Sequence, residues 1–137
     1  MTDEIRIRAE VLEEMIRHAR SEQDMECCGL LAGRNGVITK CFTARNALAS
    51  RSAYEIAPLE LFRLFRRMRD EGLDHLGLYH SHPYTENFPS PRDIDQANYP
   101  NEVYFIVSPR DGAARPVRAF LIRIGEVREL KIETAVV

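Results

Sequence analysis

The sequence lacks any apolar run near the roughly 18 residues that a membrane span requires. It is also poor in cysteine. Cys27, Cys28 and Cys41 make an odd count with two neighbours adjacent, a poor basis for disulfides. With no C-x-x-C pair, a cysteine-based zinc site is not expected either. All three thiols fall in apolar, strand-like runs, where cysteine packs as a small hydrophobe. An excess of charge is missing too. At a formal net charge of −2, neither nucleic acid nor a membrane surface is expected as partner. The one basic cluster, Arg63, Arg66, Arg67 and Arg69, lies on a helical pattern and reads as a solvated face. The opening "MTDEIRIRAEV" is charged and alternating rather than leader-like, so a cytoplasmic protein is expected. Repeats, low-complexity segments and linkers are absent. The expectation is a single domain over residues 1–137.

What is present is a regular alternation of elements. "EIRIR" reads as a strand, and "AEVLEEMIRHARSE" carries a helical apolar stripe. "ECCGLLAG" and "GVITKCFTA" read as strands joined at Asn35-Gly36, a strong hairpin signal. Residues 44–53 read as a loop and "YEIAP" as a short extended segment. Pro58 opens a second helix, where its missing N–H costs nothing, and Gly72 closes it. "HLGLYHSH" reads as a strand, "SPRDIDQANY" as a short helix, and three closing strands follow, the last two as a hairpin. The predicted class is α/β or α+β: a mixed β-sheet with two main helices and one short helix, in layers.

Chemistry concentrates in "YHSHPYTENFPSPRD", residues 79–93. On a strand, His80 and His82 point to one face and Ser81 to the other. Leu76 and Leu78 are expected on the histidine face. Pro83 ends the pairing ladder, so the imidazoles sit at the strand's C-terminal end, where α/β folds place their sites. Ser90 is a good N-cap, Pro91 a good N1 residue, and Asp93 then falls at N3. The seven residues 83–89 are enough to fold that helix start back over the histidines. His80, His82 and Asp93 would be three protein ligands to a tetrahedral zinc that keeps its fourth position for water. Capping alone also explains Ser90 and Asp93. His18 and His75, without evident acidic partners, read as structural.

A zinc site of this kind needs a base for the water proton. Glu26, Glu86, Glu55 and Asp95 are candidates. Glu26 begins a strand and Glu86 lies on a loop, and a rigid element favours Glu26.

"LGLYHSHPYTENFPSPRD" resembles the JAMM motif of the MPN+ metalloproteases: H-x-H-P, then S-x-x-D after the same seven-residue interval. "MECCGLLAG" resembles that family's E-x-C-G-L-L-x-G segment, and "ARNALASRSAYEIAP" with Asn46 fits its middle. The similarity runs from about residue 3 to residue 130. It implies a three-layer α/β fold similar to cytidine deaminase. It implies one zinc per chain on His80, His82 and Asp93, with Glu26 as general base and then acid. Ser90 would stabilise the oxyanion. It further implies cleavage after the C-terminal glycines of ubiquitin-like proteins. The chain lacks the long insertions of eukaryotic deubiquitinases. That favours the small prokaryotic-type members, which process sulfur-carrier proteins. Two rivals remain. A zinc deaminase would need H-x-E with a later P-C-x-x-C, and neither occurs. A catalytically silent MPN-type scaffold that only binds proteins would bind no zinc.

Overall fold

In a computed structural model, which describes residues 3–136, seven strands and three helices follow the expected order. Residues 1, 2 and 137 of the expected domain lie outside the described residues. The elements are β1 (Glu4–Arg8), α1 (Ala9–Ser21), β2 (Cys28–Arg34), β3 (Val37–Ala44), α2 (Pro58–Asp70), β4 (Asp74–Ser81), α3 (Pro91–Asp95), β5 (Val103–Val107), β6 (Val117–Arg123) and β7 (Glu126–Ala135).

Local chemistry accounts for the boundaries. Asn35 and Gly36 both take positive φ, 54° and 75°, as the tight turn of the β2–β3 hairpin requires. Pro58 occupies the first turn of α2, and Gly72, at φ 69°, follows its end. The segment 53–57 belongs to no helix or strand.

The sheet order is β1-β3-β2-β4-β5-β6-β7, and β1 also pairs with β7, so the sheet closes on itself. The pairing is mixed: β4 runs antiparallel to β2 and parallel to β5. Each face has its own apolar core. Val11, Met15 and Ala19 of α1 pack with Ile7, Leu31, Tyr79, Phe105 and Ala119 on one face. Leu64 and Met68 of α2, with Ile94 of α3, pack with Leu30, Phe42, Leu78, Ile106 and Phe120 on the other. Burying each large side chain contributes about 1.5–3 kcal/mol, so these two stripes fix where both main helices lie. Gly29 leaves room for the Tyr79 ring, because a Cβ there would sit 2.4 Å from Tyr79 Cε1.

One facing differs from the sequence expectation. Leu31 pairs with Gly77 and Ala32 with His75, which leaves Leu76 as the extra residue of a bulge. Leu76 therefore packs on the α1 face, whereas Leu78 stays on the α2 face. The bulge interrupts the strict alternation on which the expectation rested.

The parallel pair β4–β5 positions the site. Parallel neighbours cannot be joined by a tight turn, so the chain must leave the end of β4 and travel back to the start of β5. That crossover contains residues 83–90 and α3.

Candidate metal centre

The β4 ladder continues one residue beyond the strand, since the His82 N–H donates to the Val107 carbonyl at 3.0 Å. His80 and His82 thus keep the alternation and share a face. Both are buried, at 2% and 3% exposure. The crossover is held by buried Asn87, whose Nδ2 donates to the carbonyls of Arg115 at 2.8 Å and Ile106 at 3.4 Å. It brings α3 over the imidazoles. Ser90 caps α3 and Asp93 stands at N3: the Asp93 N–H donates to Ser90 Oγ at 3.1 Å, and the Ser90 N–H donates to Asp93 Oδ2 at 2.9 Å. The capping reading and the ligand reading of this pair therefore describe one arrangement. The cap aims the carboxylate.

Three side chains bring their donor atoms into a small triangle, His80 and His82 each facing a different oxygen of Asp93. His80 Nε2 lies 3.2 Å from His82 Nε2 and 3.1 Å from Asp93 Oδ1, and His82 Nε2 lies 2.9 Å from Asp93 Oδ2. Atoms bound to a tetrahedral zinc at 2.0–2.1 Å would stand about 3.3 Å apart, close to these separations. The hydrogen bonding points the same way. His82 Nδ1 lies 2.8 Å from the Glu86 carbonyl oxygen, which can only accept. The ring must donate from Nδ1, so neutral His82 turns its Nε2 lone pair toward the carboxylate. Two acceptors face each other there unless a proton or a metal ion lies between them. A backbone acceptor on the far ring nitrogen is also how metal-ligating histidines are usually oriented. These residues fit a zinc ion by both donor type and spacing.

The local fields are consistent with a cation-seeking site. Burial would raise Asp93, but hydrogen bonds and charge from His80 and His82 outweigh it and hold the carboxyl far below the usual range. Burial lowers His80 despite its contact with Asp93. For His82 burial also acts downward, but Asp93 and the Glu86 carbonyl prevail and raise it.

The four candidate bases separate clearly. Glu26 is 3% exposed, its Oε1 has no hydrogen-bond partner, and burial pushes its carboxyl up to about 8. It feels the charges of His82 and Asp93. Glu86 is exposed and turns its carboxylate to Arg118 at 3.4 Å, offering the site only its carbonyl. Asp95 is exposed and accepts from Gln96. Glu55 is exposed at the rim of a cleft beside the triangle.

Tyr54, Ile56, Leu78, Arg92, Tyr99 and Tyr104 line that cleft together with His80 and Asp93. Sequence reasoning missed Tyr54, whose ring stacks on His80 at 4.6 Å and 22°. A lone tyrosine ahead of an extended segment carries no signal for such a contact. Loop 83–89 does not line the cleft. Tyr84 lies under Arg51 and bonds Asp24, while Phe88 packs edge-on against Phe120 beside Arg118.

His18 is not without an acidic partner. Its Nε2 lies 2.8 Å from Glu22 Oε2 and its Nδ1 2.6 Å from the Tyr79 hydroxyl, which ties α1 to β4. His75 sits between the rings of Phe65 and Tyr99. The cysteines are free and buried, and burial pushes Cys27 and Cys41 up to about 12. No helix among the described residues is long and apolar enough to cross a membrane.

Residues 8–123 match the family described as prokaryotic homologs of the JAB domain. The chain belongs to that family. It is similar to the CysO-cysteine peptidase of Mycobacterium tuberculosis, 34% identical over 125 residues, covering 90% of this chain and 86% of the relative. It is also similar to the probable TtuB-protein conjugate cleaving protease of Thermus thermophilus, 36% identical over 116 residues, covering 85% and 74%. A solution structure from Desulfitobacterium hafniense superposes with a TM-score of 0.86 at 32% identity, covering 96% of this chain and 92% of that one. A structure described as a JAMM metalloprotease-like zinc site in the proteasome and signalosome superposes at 0.61 with 19% identity, covering 94% and 97%. That last likeness shows the fold alone. The architecture is the α/β fold of the MPN and JAB proteins, and this JAB-family chain is a hydrolase of the JAMM type.

Proposed function

We propose that the chain is a zinc-dependent peptidase that cuts the bond after the C-terminal Gly-Gly of a ubiquitin-like or sulfur-carrier protein. The observation that carries the reading is the triangle of His80, His82 and Asp93, with the lone pair of His82 turned inward by the Glu86 carbonyl. In this reading His80, His82 and Asp93 hold one zinc ion. Zinc bound there supplies Lewis-acid polarisation and a water of lowered pKa. Glu26 takes the proton of the attacking water and returns it to the leaving nitrogen. Burial raises the Glu26 carboxyl while a neighbouring cation favours its charged form, and these opposing effects suit a group that takes a proton and gives it back. Ser90 Oγ accepts from the Asp93 N–H, which leaves its own proton free to donate to the oxyanion of the scissile carbonyl.

The segment 53–57, whose sequence reads as extended, favours an extended substrate. The Glu55 N–H donates to Asn46 Oδ1 and the Glu55 carbonyl accepts from the Ala47 N–H, so one edge of this segment is taken. In extended backbone, successive residues face opposite ways, which leaves the N–H and C=O groups of Tyr54 and Ile56 for a strand added from the cleft side. The two relatives, a CysO-cysteine peptidase and a probable TtuB-protein conjugate cleaving protease, favour a carrier of the same class. One catalytic domain over residues 1–137 belongs to the same reading, supported by β1–β7 pairing that ties early to late chain. A three-layer, cytidine-deaminase-like description belongs with it as well, supported by helices on both faces of a mixed sheet.

The test is incubation of the zinc-loaded protein with carrier proteins extended beyond Gly-Gly, read by intact mass. Loss of everything after the second glycine is expected. A zinc-loaded protein that binds these carriers without cutting any of them is a scaffold, and the proposal then fails.

A further inference from the structure

Glu26 stands outside β2, whose last register beside β4 pairs Cys28 with His80. Regular pairing therefore does not set the position of its carboxyl. All four backbone polar groups of residues 26 and 27 are nevertheless engaged. The Glu26 N–H donates to the Ser50 carbonyl at 2.9 Å, and the Glu26 carbonyl accepts from Asn46 Nδ2 at 2.9 Å. The Cys27 N–H donates to Ser81 Oγ at 2.8 Å, and the Cys27 carbonyl accepts from the Ser81 N–H at 3.1 Å. Two of these partners are side chains, Asn46 and Ser81, and both are buried.

Ser81 is the more informative of the two. It is fully buried, between His80 and His82 in sequence, on the face of β4 where Tyr79 joins the apolar core of α1. A hydroxyl on an apolar face costs free energy unless it is bonded, and its partner here is the N–H adjoining Glu26. We infer that Ser81 is a positioning residue for Glu26. Its hydroxyl ties the Glu26–Cys27 peptide to the strand that carries both imidazoles, so base and metal ligands are held as one rigid unit. Asn46 holds the same peptide from the loop side. The carboxyl itself has an unbonded Oε1, so its aim depends on this backbone clamp. The inference rests on Glu26 acting as the base.

The experiment compares Ser81→Ala, Ser81→Cys, Tyr79→Phe and Glu26→Gln in zinc-loaded protein, reading zinc content, melting temperature, KM and kcat. Ser81→Ala should keep zinc and KM while kcat falls about 10- to 100-fold, as small misplacements of reacting groups do. Ser81→Cys, a near-isostere with a weak acceptor, should fall between wild type and alanine. It also serves as the reading should the alanine variant fail to fold. Tyr79→Phe removes a buried hydroxyl from the same face of β4 and should lower the melting temperature with kcat intact. Wild-type kcat in zinc-loaded Ser81→Ala overturns the inference. So does a kcat loss that Tyr79→Phe reproduces at equal loss of melting temperature. Full activity in Glu26→Gln would instead remove Glu26 as the base. Dead Glu26→Gln beside fully active Ser81→Ala removes the positioning role alone.

Discussion

His82 donates its Nδ1 proton to the backbone carbonyl of Glu86 over 2.8 Å, and this one bond decides what the opposite ring nitrogen can do. In the neutral ring it leaves the lone pair on Nε2, which faces His80 and Asp93. A loop carbonyl four residues downstream thus fixes the ring orientation within the His80, His82 and Asp93 group.

The first prediction concerns the metal. Protein prepared without chelator should carry about one zinc per chain, since three ligands and one open position make a complete catalytic set. His80→Ala, His82→Ala and Asp93→Ala should each weaken binding severely, because three ligands leave no redundancy. Elemental analysis measures this directly. Full zinc retention in all three variants would remove the assignment.

The second concerns Glu26 in metal-stripped protein. Its folded carboxyl titrates near 8 against 4.5 for the free group, because burial disfavours the charged form. A raised folded pKa means the neutral acid favours folding. That contribution is fully present below the unfolded value and is lost as pH rises through the folded one. Metal-free wild type should therefore lose stability between about pH 5 and about pH 8, by up to about 3 kcal/mol near neutrality. Glu26→Gln should lack this slope and be the more stable protein at neutral pH. Urea unfolding of both proteins across that range gives the comparison, and parallel curves would contradict it. In zinc-loaded protein the same variant should lose on the order of 10²–10⁴-fold in turnover.

The third concerns Ser90, where cap and oxyanion donor predict different outcomes. Glycine at an N-cap costs only a few tenths of a kcal/mol relative to serine, whereas alanine costs about 1 kcal/mol. Ser90→Gly should therefore keep α3, Asp93 and zinc in place while removing the hydroxyl. A kcat lower by on the order of 10²-fold is expected of it. Wild-type kcat in this variant would leave Ser90 the capping role alone.

The elements and the grouping of His80, His82 and Asp93 were legible from sequence because they rest on local chemistry. Asn35-Gly36 fixes a hairpin, Pro58 and Gly72 bracket α2, and alternation places His80 and His82 on one face. Three features were not legible, and each depends on contacts between distant segments. Closure of the sheet requires β1 to find β7, more than a hundred residues away. The bulge at Leu76 reflects a register shift against β2, which single-strand alternation cannot register. The bond between Ser81 and the Cys27 N–H joins chain positions 54 residues apart.

The last prediction concerns the substrate tail. The cleft beside the triangle is lined by Tyr54, which stacks on His80, and by Glu55 and Ile56. A tail pairing with Tyr54 and Ile56 would pass directly over the stacked rings. Glycine can approach that closely because it has no Cβ, whereas a β-branched residue places two carbons where the tyrosine ring stands. Loop 83–89 packs through Phe88 on Phe120 and does not line the cleft, so discrimination falls to Tyr54. A carrier ending in Gly-Gly before the scissile bond should be cut efficiently. The same carrier with its terminal glycine changed to valine should lose at least about 100-fold in kcat/KM, roughly the 3 kcal/mol that a bulky side chain costs in an overfilled site. Tyr54→Ala should recover part of that loss on the valine carrier while weakening cleavage of the glycine carrier. Steady-state rates on both carriers with both enzymes give the four values needed. Equal rates on the glycine and valine carriers, or equal cutting of unrelated unfolded peptides, would show a general peptidase in place of a carrier-processing enzyme.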